Sequence, residues 1–124
     1  MPVTQARTRK QVRQSIGLAL GGFDLSDGAI EHTADDTGSL VTIHDSSLLF
    51  GSNNEHRGKW IVSTVVATDS NAGLIRRVWE SSPDARELRL ATPLKKETNT
   101  SFTYELWRAD MPPQMVNEMM NRYI

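Results

Sequence analysis

Between residues 4 and 20, Val12, Ile16, Ala19 and Leu20 recur at i, i+4, i+7 and i+8, the spacing of one apolar helical face. Arg7, Lys10 and Gln14 fall on the opposite side. Arg9 and Arg13 flank the stripe, where their aliphatic stems can lie on apolar surface. Thr4 stands where an N-cap would, without a glutamate to complete a capping box. Gly21-Gly22 ends the segment, because glycine accepts the left-handed cap conformation. Gly17 inside it costs about 1 kcal/mol relative to alanine. The spacing therefore predicts a basic N-terminal helix within residues 1–22.

Residues 23–38 lose this period. They are dense in Asp, Gly, Ser and Thr, which favour side-chain-to-backbone turns, and they read as a long acidic loop. From residue 39 the period shortens to two. Ser39–His44 alternates Leu40/Thr42 with Val41/Ile43, and 45–57 reads as a loop anchored by Leu48-Leu49-Phe50. Lys59–Thr68 carries large apolar groups on both faces, as a central strand does. Asp69–Gly73 is a hairpin-length connection to Leu74–Glu80, and Ser81–Ala85, with Pro83, is another turn. Arg86–Thr92 points Leu88 and Leu90 inward. In Ser101–Arg108, Phe102, Tyr104 and Leu106 face in, while Thr103, Glu105 and Trp107 face out. Residues 39–109 thus form a β core, with Trp60, Val62, Val78, Leu88, Leu90, Phe102, Tyr104 and Leu106 expected in one buried cluster.

Asp110 and Pro112-Pro113 open a last helix in residues 110–124, since proline suits the first turn. Met115, Val116, Met119, Met120 and Tyr123 make its apolar stripe, which suits either docking on the sheet or an adaptable partner surface. The whole is one α+β domain: a small antiparallel sheet or open β-barrel of four to five strands, with an N-terminal and a C-terminal helix.

Length fits that reading, since 124 residues make one domain. No apolar run approaches the roughly 20 residues of a membrane span, and no secretory apolar run follows the basic end. With no cysteine, disulfides, thiolate metal sites and cysteine nucleophiles are excluded. The net charge of −1 hides an uneven distribution: residues 1–20 carry +4 and residues 21–57 carry −6. Either the basic helix faces the acidic loop of its own molecule, or the basic end meets a neighbouring subunit or DNA phosphates. The acidic loop is expected to order against such a neighbouring basic helix.

Catalytic signatures are missing. Asp24–Gly28 and Asp69–Gly73 lack the alternation and distal glutamate of a calcium loop and read as turns. His32, His44 and His56, twelve residues apart, are too far apart for one metal-binding element and read as surface histidines. Asp35-Asp36 reads as a solvated pair. No phosphate-loop, dinucleotide or nucleophile-elbow motif occurs. The expectation is no enzyme, no metal and no cofactor. Trp107 is either covered by the N-terminal helix or an exposed interface aromatic.

Gly58-Lys59-Trp60, Arg76-Arg77-Val78, Leu88-x-Leu90-x-x-Pro93-Leu94, Tyr104-Glu105-Leu106-x-Arg108 and Pro112-Pro113, after an R-x-x-x-R-Q-x-I segment at Arg9–Ile16, resemble a layout of tailed-bacteriophage virion proteins. These are small proteins of the neck, head–tail connector (adaptor) or fibre attachment. The resemblance implies a non-enzymatic virion component in a symmetric homo-oligomeric ring, assembled in the host cytoplasm. Its partners would be portal, neck or tail components, close to DNA, with no membrane contact. Capsid decoration or fibre anchoring is a variant, and a small nucleic-acid-binding protein using the basic helix and Arg76/Arg77 is the alternative. The candidate partner residues are Arg7, Arg9, Lys10, Arg13, Trp107, Met115, Met119 and Tyr123.

Overall fold

A computed structural model of the chain describes residues 8–26, 28–48 and 51–123. Helix α1 spans Arg9–Leu20. Its N-cap is Thr8; the expected cap Thr4 lies outside the described residues. The Gln11 N–H donates to Thr8 Oγ1 at 3.1 Å, and the Thr8 N–H donates to Gln11 Oε1 at 3.0 Å. Glutamine thus closes the capping box that a search for glutamate overlooks. Gly21, at φ 67°, is the left-handed cap, and the Gly22 N–H returns to the Gly17 carbonyl at 2.8 Å.

Six strands follow, β1 Glu31–Thr33, β2 Thr42–His44, β3 Trp60–Ser63, β4 Ile75–Ser82, β5 Glu87–Leu90 and β6 Thr103–Trp107, then helix α2, Pro113–Tyr123. The sheet order is β1-β6-β3-β4-β5-β2, with every neighbouring pair antiparallel. The domain is α+β, and β3 is central, as its two-faced apolar pattern predicts. A bridge between Asp36 and His44 joins the chain beyond β1 to β2, so the curled sheet brings its two edges together.

The expected acidic loop is corrected by β1, which lies inside it. His32 is buried between exposed Glu31 and Thr33, and three residues are too few to show alternation by themselves. The strand expected from Ser39 starts only at Thr42. Leu40 is exposed there, and a tight turn closes from the Ser39 N–H to the Thr42 carbonyl. A register shift between Val78 and Glu80 puts a bulge in β4 and leaves both Trp79 and Glu80 exposed.

The single expected core is two. Ile43, Leu48, Ile61, Val78, Leu88, Leu90, Phe102, Tyr104 and Leu106 fill the inside of the curled sheet. Val62 and, partly, Trp60 belong instead to a second cluster outside it, with Phe23, Trp107, Val116, Met120 and the α1 residues Val12 and Ile16. Register explains the division. Trp60 opposes Trp107 and Val62 opposes Glu105, and directly opposed residues share one face of an antiparallel pair. The helices cover that outer face.

Candidate partner interface

Of the described basic residues of α1, the structure turns Arg13 inward. Arg13 is buried and grips the fully buried Glu105 with both prongs: Nε to Oε1 at 2.9 Å and Nη2 to Oε2 at 2.7 Å. Gln14 Nε2 and Trp107 Nε1 each donate to the same carboxylate at 3.0 Å. A buried carboxylate is tolerable when its oxygens are so completely occupied. Trp107 is therefore covered by α1 and is no exposed interface aromatic. Its ring lies 4.5 Å from that of Phe23, and Gly17 leaves space for both: a Cβ there would sit 2.7 Å from each ring. Lys10 pairs with Glu31 at 3.1 Å. Arg9 alone of the described helix arginines is exposed, and Arg7 lies outside the described residues.

The acidic segment makes contacts within its own chain. Asp24 pairs with Lys59 and accepts from Ser26, Glu31 pairs with Lys10, and Asp35 accepts from Ser46. Burial pushes the Asp24 carboxyl up, but the Lys59 and Ser26 hydrogen bonds outweigh it and hold the group at about 2. The surface reading of the histidines is also corrected. His32 is buried and stacked on Tyr104, and His56 is buried with its backbone N–H donating to Ser81 Oγ at 3.0 Å. His44 stays partly exposed. Among the described residues no group of three His, Cys, Asp or Glu could hold a metal ion. No described helix is long and apolar enough to cross a membrane.

Helix α2 divides its stripe. Val116 and Met120 join the outer cluster, while Met115 and Met119 are 49% and 40% exposed. With Glu118 and Arg122 these two methionines line a shallow groove of about 280 Å³. The Tyr123 side chain lies outside the described residues.

A second surface was not among the sequence candidates. Trp79 is 50% exposed at the β4 bulge, with the Arg57 guanidinium 4.3 Å from its ring centroid. Beside it, Arg77 lies 4.9 Å over Trp60. Val41, Trp79, Arg89, Leu90 and Ala91 line a groove of about 500 Å³. Arg57 and Trp79 are 22 positions apart on a loop and a strand, so no local spacing joins them, and the bulge turns Glu80 outward next to the indole. No family model, curated protein or solved structure matches this chain.

Proposed function

We propose that this chain is a small non-enzymatic structural subunit of a tailed-bacteriophage virion, in the neck or head–tail connector, where it forms a symmetric ring and binds other virion proteins. The observation that supports this reading best is the divided face of α2. Two methionines stay in water on a helix whose Val116 and Met120 are buried, and methionine surfaces adapt to more than one partner. The motif layout described above supplies the virion context. DNA binding through the basic helix is weaker, because its buried arginine, Arg13, is committed to Glu105.

Native mass spectrometry of the full chain tests the reading. The wild type is expected to form a closed oligomer. Met119→Asp is expected to remain folded by circular dichroism and to lose that oligomer, because a carboxylate cannot be buried cheaply in a contact. A wild type that stays monomeric at tens of micromolar overturns the ring. Salt-sensitive affinity of the monomer for DNA would favour the nucleic-acid alternative.

A further inference from the structure

Two patches that no described residue covers lie on different elements and share no residue. One is the α2 groove of Met115, Glu118, Met119 and Arg122. The other is the groove beside Trp79 on β4 and β5. Their chemistry is complementary. The indole, half exposed beside the Arg57 guanidinium over its ring, offers apolar surface and a ring edge, against which thioether sulfur packs well. Arg57 lies over the ring, Arg89 lines the groove, and Glu80 follows Trp79 on β4 and lines the adjoining groove with Arg89; none of the three makes an ion pair among the described residues, although Glu80 and Arg89 are register partners. On α2, among the described residues, Glu118 and Arg122 pair with each other, at 3.2 Å and largely exposed. Such a surface pair holds little energy and is readily exchanged for new partners.

We propose that α2 of one copy docks into the Trp79 groove of the next copy, head to tail. Met115 and Met119 cover the indole, Glu118 meets Arg89, and Arg122 meets Glu80. The inference rests on the ring reading and names the contact that makes the ring. A contact between two different surfaces of one chain is heterologous, and repetition closes it into a ring when the rotation permits. Trp and Arg are the residues most often dominant in such contacts.

Complementation tests this with the full chain. Trp79→Glu breaks the groove and Met119→Asp breaks the helix, and both positions are exposed enough to leave the fold intact. Each variant alone is expected to be monomeric, with self-association weakened about 30-fold or more. Mixed in equal amounts, they are expected to give a discrete heterodimer, because the intact groove of one accepts the intact helix of the other and propagation stops there. If the wild type assembles and the mixture stays monomeric, the head-to-tail contact is overturned while the ring stands on another surface. An oligomer that survives Trp79→Glu overturns it equally. A monomeric wild type overturns the ring reading and this inference together. Arg89→Glu and Glu118→Arg provide a second pair that leaves both apolar groups in place. Each is expected to weaken assembly and the double variant to restore it; a double variant no better than the singles overturns the proposed register.

Discussion

The two helices lie on the same outer wall and are held in opposite ways. Helix α1 reads as the charged, accessible element, yet Arg13 is buried against Glu105, Lys10 is paired, and Gly17 fits under two aromatic rings. Helix α2 reads as the apolar element, yet Met115 and Met119 remain in solvent. A charged residue beside an apolar stripe goes inward when the facing strand offers a buried opposite charge, and an apolar residue stays outward when the stripe is wider than the wall beneath it. Charge and hydropathy on one helix therefore do not decide which residues meet a partner.

The largest expected effect breaks this comparison at Glu105. Glu105→Ala leaves the Arg13 guanidinium buried without its carboxylate and removes the acceptor of the Trp107 N–H. Removing one partner of a buried pair costs about 3–5 kcal/mol. The matching change on α2, Glu118→Ala, removes only an exposed i,i+4 pair worth about 0.3–0.5 kcal/mol. Urea unfolding of both variants gives the two numbers. A loss below about 1 kcal/mol for Glu105→Ala would mean that α1 is held no more firmly than α2.

Much of the frame was legible in the chain. The alternation in 86–92 and 101–108 marks β5 and β6 and their inward residues, Gly21 marks the end of α1, and Pro112-Pro113 marks the start of α2. What escaped has a common cause. The outward positions Glu105 and Trp107 are buried by a helix about 90 residues away in sequence, and period-two alternation describes only one strand at a time. His32 sits in a strand too short to alternate, and His56 is buried in a loop by contacts with β4. Of the candidate interface, the exposed Met115 and Met119 were readable from the α2 stripe. Trp79 was not singled out: alternation places it opposite the buried Val78, but whether a helix covers that side of the strand is set by residues far away in sequence.

A middle-sized effect sharpens the comparison through pH. Asp24 follows α1 closely and ties that stretch to Lys59 next to β3. Its carboxyl sits at about 2 when folded and near 3.8 when free. A depressed folded value stabilises above the unfolded value, so the contribution is whole above about pH 4 and fades as the pH falls towards 2. Its size is about 1–2 kcal/mol, allowing for partial solvent screening. Asp24→Asn is expected to flatten that part of the stability–pH curve and to lower stability at pH 7. An unchanged slope between pH 4 and 2 would show that the Lys59 pair does not form in solution.

The smallest expected effect is that of Met119→Ala on α2, read against its neighbour Met120 of identical chemistry. Met119 is 40% exposed and Met120 is 1% exposed, in contact with the outer cluster of Phe23, Val62, Trp107 and Val116. Met120→Ala removes a packed side chain and leaves a cavity, at a cost of about 2–5 kcal/mol. Met119→Ala removes atoms that already face water, so the monomer is expected to change by no more than about 0.5 kcal/mol. Thermal unfolding at a concentration too low for assembly isolates the monomer term. Repeating it at high concentration adds any contact that Met119 makes between copies, because a partner bound only to the folded state raises the melting temperature. If Met119→Ala costs as much as Met120→Ala at low concentration, Met119 is a core residue and the exposed face of α2 is not a surface for a partner.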